Sequence, residues 1–284
     1  MNKEHASTSS ERMHFIMFGY DTFSAAKNMA IDETIKSLCE EMGGFFIRFF
    51  GFEKPSVILS LSDSLKCVRL EHADGVEITR RQSGGKPIYV DENVLAYSIV
   101  GATWPKEAKD FTSLAAVHNY FGLRIARAIE KYSGSKSAVE IGEVYSIKVA
   151  GKPIAGHAQY PTLGKAFFYH GVVAMKKWDA DRINALLRMR PGDYEELKRL
   201  PSIASIMDAP QIVDAELQKK KLANFILDEV TGGNYEEINE DERKDVLSKA
   251  NVLLEKKYRS KKWVEEANGG KLREDSTFCL LYTG

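Results

Sequence analysis

The chain has 284 residues, 44% hydrophobic and 28% charged, which fits a folded protein with one large domain and room for a smaller one, not a disordered or fibrous chain. Its 40 basic and 40 acidic residues cancel, so no net field favours nucleic acid or an anionic membrane surface, and selectivity must be local. No run approaches the roughly 18 apolar residues of a membrane span, and Met1–Arg12 lacks the apolar core of a secretory signal, which predicts a cytoplasmic chain with a frayed start.

Three cysteines, Cys39, Cys67 and Cys279, are odd in number, far apart and outside any CxxC spacing, so neither a disulfide framework nor a zinc site is expected. In chain order, Ser24–Met42 reads as the first helix. Ile31, Ile35, Leu38 and Met42 recur at helical spacing, Ser24 is placed to cap the start, and Gly43-Gly44 stops the run. Phe45–Phe50 and Val57–Leu61 read as strands connected through Gly51 and Pro55, with Val76–Arg81 and Val94–Val100 as two more. Thr112–Tyr132 returns to helical spacing through Leu114, Val117, Phe121, Ile125 and Ile129. Tyr145–Val149 and Ile154–Ala158 are short strands about a tight turn of Ala150, Gly151, Lys152 and Pro153, and Ala166–Met175 is a further apolar strand.

Strands clustered around two helices without βαβ alternation predict the α+β class. Pro191, Gly192, Pro201 and Pro210 interrupt the periodicity between Arg190 and Pro210. That break divides the chain into a tail (1–13), a main domain (14–209) and a small C-terminal domain (210–284). Within the last, Asn239 with Glu242 three residues on predicts a capped helix running towards Tyr258, with Val246, Ala250, Leu253 and Leu254 on its apolar side. Its charge runs, Lys219–Lys221 and Lys256-Lys257 against Glu236-Glu237 and Asp241-Glu242, read as solvated helix faces.

Three segments carry chemistry-bearing residues. Arg80-Arg81-Gln82-Ser83-Gly84-Gly85-Lys86 comes directly after a strand. Paired glycines let backbone amides approach a ligand, and Arg and Ser supply a cation and a hydroxyl for anionic oxygens, although such a stretch also serves as a plain turn. In Gly151–Gln159 a turn lysine, Lys152, precedes a strand with Gly156, His157 and Ala158; the lysine either neutralises charge in an acyl or phosphoryl transfer or is merely solvated. Tyr169-His170-Gly171 opens an apolar strand, with its histidine lining a pocket or bonded in the core.

The order of these segments resembles the lipoate-protein ligase and octanoyltransferase family. Asn28-Met29-Ala30-Ile31-Asp32-Glu33 is similar to the family's first-helix signature, Ile47–Phe50 and Pro55-Ser56-Val57 to the family's next segments, and Arg80–Gly85 to its Arg-Arg-x-Ser-Gly-Gly lipoyl-binding loop. Asp91 and Tyr97-Ser98 continue the match, Gly151–Gln159 resembles the lysine-containing segment, and His170-Gly171 the end of a His-His-Gly motif. Tyr258, Ser260 and Trp263 look like the Tyr-x-Ser-x-x-Trp near the close of the accessory domain.

The resemblance implies a mixed sheet with flanking helices, like that of class II aminoacyl-tRNA synthetases and biotin ligases, plus a small C-terminal accessory domain. It implies an ATP-dependent ligase that activates lipoate or octanoate as an acyl-adenylate, with magnesium on the phosphates, and passes it to a lysine of a lipoyl carrier domain. The carrier would be a 2-oxoacid dehydrogenase acyltransferase subunit or a glycine cleavage H-type protein, with no nucleic acid or membrane partner. Carried onto this chain, it makes Lys152 the catalytic residue. Arg80, Arg81, Ser83, Gly84, Gly85, Lys86, Gly156, His157, Ala158, His170 and Gly171 become the substrate-binding set. The chain departs from the family at Lys86, Pro87, Val90 and Val94, and the family lysine falls at Pro153, next to Lys152. Lys86 and Lys152 are therefore expected to reach the ligand from two walls. The alternatives are an octanoyl or lipoyl transferase, for which Glu140–Ser146 offers no cysteine, and a non-catalytic member that binds lipoate or a lipoyl carrier.

Overall fold

The computed structural model describes residues 13–102, 113–134, 139–142, 146–162, 166–189, 192–207 and 214–266. The tail residues 1–12, Cys279 and the stretch 143–145 of the cysteine-free segment Glu140–Ser146 lie outside these.

Two sheets organise the molecule. The larger has eight strands in the order β11-β1-β2-β6-β10-β9-β8-β7. These are β1 (Phe15–Phe23), β2 (Phe45–Phe52), β6 (Val94–Ala102), β7 (Val139–Gly142), β8 (Ser146–Val149), β9 (Lys152–Thr162), β10 (Ala166–Ala174) and β11 (Tyr235–Glu237). The smaller sheet sets β3 (Ser56–Leu59) between β4 (Glu77–Arg80), parallel to it, and the antiparallel β5 (Ile88–Val90). The mixed sheets with flanking helices bear out the α+β reading. Strand β1 is an addition to the expected elements. Phe15-Ile16-Met17-Phe18 lacks alternation, and the pairing with β2 slips between Met17 and Gly19, where Gly19 takes a φ of 122°.

The two faces of the large sheet bury separate cores. On one lies α1 (Ala25–Met42), whose Ala25, Met29, Ala30, Ile31 and Ile35 pack with Phe46, Phe50, Val100 and Phe168, and with Val246 and Ala250 of α7 (Glu240–Leu253). Ser24 caps α1 by accepting from the Lys27 amide at 3.3 Å, and the helix ends at Gly43 with φ 82°, both in agreement with the sequence. On the other face α2 (Leu114–Ser133) and α6 (Ala215–Thr231) bury Val117, Phe121, Ile125, Leu222 and Ile226 against Ile47, Tyr97, Phe167 and Tyr169. Asn239 caps α7 through the Glu242 amide at 2.9 Å.

The described elements of the segment expected as an accessory domain lie on this same framework. Helix α6 belongs to the second core, β11 pairs in parallel with β1, and α7 rests on α1. Of three shorter helices before them, α3 (Ala180–Leu186) precedes the proline-interrupted stretch, and α4 (Asp193–Leu197) and α5 (Ile203–Ile206) lie within it. Among the described residues no helix is long and apolar enough to cross a membrane.

Candidate active site

The glycine loop leaves the end of β4 and continues beside the end of β3: the Arg81 amide donates to the Leu59 carbonyl at 2.9 Å and the Leu61 amide to the Ser83 carbonyl at 2.9 Å. Arg81 is only 5% exposed, and its guanidinium staples the loop from inside. Its Nη2 donates to the carbonyls of Gly84 at 2.6 Å and Lys86 at 2.8 Å, and its Nη1 to Ile58 at 3.2 Å. Its Nε donates to Ser83 Oγ at 3.0 Å. Burial, the largest cause, pulls its pKa down to about 10, still charged at neutral pH. Gly85 takes φ 100°, and a Cβ there would stand 2.9 Å from Arg81 Nη2, so both conformation and space require glycine. A Cβ on Gly84 would meet nothing within 4 Å, which leaves the crest of the loop open to a ligand.

The loop reaches the large sheet through Ser83, whose Oγ lies 2.6 Å from His170 Nε2 on β10. Since Arg81 Nε can only donate, the serine hydroxyl keeps its own proton for the imidazole. Burial first, then the charge of Arg81 and the proximity of His157, hold the His170 pKa well below its usual value, so the ring is neutral. Phe168 stacks on it at 4.6 Å. Beneath, Asp32 of α1 takes a 3.0 Å ion pair from the fully buried Arg48 and a 2.8 Å bond from Ser98 Oγ, while Arg48 also donates to Asn28 Oδ1 at 2.5 Å. This paired network ties α1 to β2 and β6 under the loop.

Strand register decides which other residues share that face. Residues paired across antiparallel strands point the same way. His170 pairs with Ser98 and Ala158, and Val172 with Gly156, so Gly156 and Ala158 lie on the loop face. Gly171 pairs with His157, and both point to the α2 side. There His157 stacks on Tyr169 at 4.8 Å and bonds the Tyr97 hydroxyl, and a Cβ on Gly171 would stand 2.5 Å from its ring. Gly171 makes room for the half-buried His157 ring on that side, and the register turns both residues away from the face that carries Ser83.

Lys152 also departs from expectation. The β8–β9 ladder shifts register between Ile147 and Lys148, leaving Ile154 as an extra residue, so that Ser146 pairs with Gly156 but Val149 with Lys152. The bulge turns Lys152 to the side of Val149, which is buried in the α2 core. With Ser133, Gly134, Lys177, Lys198 and Arg199 it lines a cavity of about 900 Å³ there. The two-wall arrangement of Lys86 and Lys152 is therefore not what the fold builds. The same bulge puts Pro153 and its Cα partner Lys148 on the loop face. Sequence reasoning misses this sorting because nothing in the sequence marks the bulge that makes it. Arg80 is likewise spent elsewhere: wholly buried, it donates to the carbonyls of Ser60, Asp63, Trp263 and Val264 at 2.5, 2.7, 3.1 and 2.7 Å. Lys86 is exposed beside the glycines.

Residues 24–226, more than half of the chain, match the family model of the lipoyl protein ligase A/B catalytic domain. The chain belongs to this family. Solved structures share the fold. A bipartite lipoate protein ligase from Thermoplasma acidophilum, described with its E2 lipoyl domain, superposes with a TM-score of 0.70 at 19% identity over 93% of this chain and 99% of that one. A lipoate-protein ligase A bound with ATP gives 0.71 at 19% identity over 92% and 100%. A T. acidophilum ligase with bound lipoic acid gives 0.70 at 19% over 89% and 100%. No curated protein matches by sequence. Within this lipoyl ligase family the Arg81–Ser83–His170 cluster lies inside the matched span.

Proposed function

We propose that the chain is an ATP-dependent lipoate-protein ligase of the cytoplasm, acting on lipoate or octanoate and on a lysine of a lipoyl carrier domain. The carrier is a 2-oxoacid dehydrogenase acyltransferase subunit or a glycine cleavage H-type protein. The observation that carries this reading is the glycine loop, stapled from below by a buried cation, with Ser83 held against a neutral histidine. A lipoate carboxylate oxygen attacks the α-phosphorus of ATP, a P–O bond forms, and pyrophosphate leaves with the electrons of the broken one. The amine of the carrier lysine then attacks the acyl carbon, loses a proton and displaces AMP. Open amides and a fixed cation are what the phosphate and carboxylate oxygens need in both steps, because preorganised donors cost no reorganisation as charge develops.

Among the described residues no group of three His, Cys, Asp or Glu side chains is set to hold a metal ion. Magnesium in this reading would come with the ATP phosphates, whose charge it would neutralise. Among the described residues Cys39 and Cys67 are wholly buried, out of reach of an acyl group, and burial pushes the Cys39 thiol up to about 12.

The test is lipoate-dependent exchange of labelled pyrophosphate into ATP. Exchange with lipoate or octanoate supports adenylation, and its absence with both refutes it.

A further inference from the structure

We propose that the cavity on the α2 side of the large sheet is a second binding site, for a small molecule that carries a multiply charged phosphate group. Three separate parts of the chain bring cations to it. The β8–β9 bulge turns Lys152 there, Lys177 follows the end of β10, and Lys198 and Arg199 follow α4. The Ala204 amide donates to the Met175 carbonyl at 2.9 Å, which fastens the stretch after α4 to the end of β10 and so gathers the last three cations. Among the described residues that line the cavity none is acidic. Lys198 pairs with Glu195 at 2.6 Å, whereas among the described residues Lys152, Lys177 and Arg199 form no ion pair and donate no side-chain hydrogen bond.

Like charges gathered around one cavity repel one another, and Glu195 offsets only one of the four. The C-terminal end of α2, at Ser133 and Gly134, adds about half an elementary negative charge, too little to balance the rest. The two hydroxyls in the wall are engaged within their own turns: Ser133 donates to the Glu130 carbonyl at 3.3 Å and Ser205 to the Ser202 carbonyl at 2.8 Å. Recognition therefore falls to the cations. A phosphate group sets several charged oxygens close together, so one ligand meets several of these donors at once, which a single carboxylate cannot do. The volume, about 900 Å³, lies near the upper end of the roughly 300–1,000 Å³ of small-molecule sites and exceeds what a lone phosphate fills. Val149 and Leu200, 3% and 7% exposed, supply apolar surface for the remainder of the molecule. Because the cavity lies across the sheet from Ser83, its occupant makes and breaks no bond. It bridges the β8–β9 turn to the stretch after α4.

The experiment titrates inorganic pyrophosphate into the full-length protein and reads amine labelling by mass spectrometry, lysine by lysine. Pyrophosphate is expected to slow modification of Lys152, Lys177 and Lys198, while the exposed Lys244 of α7 keeps its rate. Calorimetry in parallel compares wild type with the double variant Lys177→Gln/Arg199→Gln, whose two positions are exposed and whose melting curve should be unchanged. The variant is expected to bind pyrophosphate more weakly by roughly tenfold or more, and added salt should weaken wild-type binding. The same labelling is repeated with ATP and with a glutamate-rich peptide. Protection by ATP at a lower concentration than by pyrophosphate assigns the apolar wall to a nucleoside, and equal protection confines recognition to the phosphates; either result upholds the site. Protection by the peptide in place of both phosphates overturns the assignment. So does the absence of protection by pyrophosphate and ATP at millimolar concentration, or wild-type affinity for pyrophosphate in the folded double variant. None of these arms contains lipoate, so their outcome is separate from that of the adenylation test.

Discussion

Arg80 and Trp263 hold each other by their backbones: Arg80 Nε donates to the Trp263 carbonyl at 3.1 Å, and the Trp263 indole Nε1 donates to the Arg80 carbonyl at 3.0 Å. The first residue of the glycine loop is thereby fastened to the turn Lys262–Glu266 near the end of the described chain. Trp263→Phe keeps the ring beside Tyr258, 5.9 Å away, but removes one donor. We expect a loss of about 1 kcal/mol, seen as a melting temperature lower by a few degrees. An unchanged melting curve would show that the indole bond contributes nothing.

Ser83→Ala strips the acceptor from Arg81 Nε and the partner from His170 in one change. Two buried groups lose a bond, so stability should fall by about 2 kcal/mol. Lipoate-dependent exchange should drop by roughly tenfold or more, the equivalent of about 1.4 kcal/mol in the activated complex. Full exchange in a folded Ser83→Ala protein would place the acyl carboxylate elsewhere.

The adjacent glycines separate stability from binding. Gly85→Ala meets both the positive φ and Arg81 Nη2, and a cost of about 1–3 kcal/mol is expected in chemical denaturation. Gly84→Ala has free space around it and should melt within about 0.5 kcal/mol of wild type while its methyl group weakens lipoate or ATP binding. Unaltered ligand affinity in Gly84→Ala would mean that the loop crest does not touch the ligand.

Acid should destabilise the protein through two histidines. Burial lowers the His118 pKa to about 4 from 6.5, and His170 is held well below 6.5 by burial and Arg81. Between about 4 and 6.5 the unfolded chain binds protons that the folded chain refuses, so stability rises with pH across this window and is lost as pH falls through it. Urea titrations at several pH values should show that slope, and His118→Gln should flatten part of it. An equal slope in wild type and variant refutes the assignment to His118.

Much of this is legible in the sequence, and the exceptions have physical causes. Helix α1, its Ser24 cap and its glycine stop come from spacing and turn chemistry, which are local. So does the glycine loop, because Ser-Gly-Gly after a strand constrains the backbone by itself. Which face a residue takes is not local. The places of His157 and Gly171 depend on a register that only the assembled sheet defines, and that of Lys152 on one unpaired residue at Ile154. Arg80 reads as a ligand-binding cation until its carbonyl partners arrive from Trp263 and Val264, 183 and 184 residues further on. A charged motif residue shows its type in the sequence, but what it binds depends on what comes to surround it.

Strand β1 lies between two parallel neighbours, β2, made soon after it, and β11, which pairs Phe15–Met17 with Tyr235–Glu237. On the ribosome the outer edge of β1 therefore waits for more than two hundred residues before its partner emerges. Loop closure over such a separation is slow, and an open edge is where chains stick to one another. Completion of this edge is expected to be a late event in folding, which makes nascent or truncated chains ending before residue 235 the forms that need protection from aggregation.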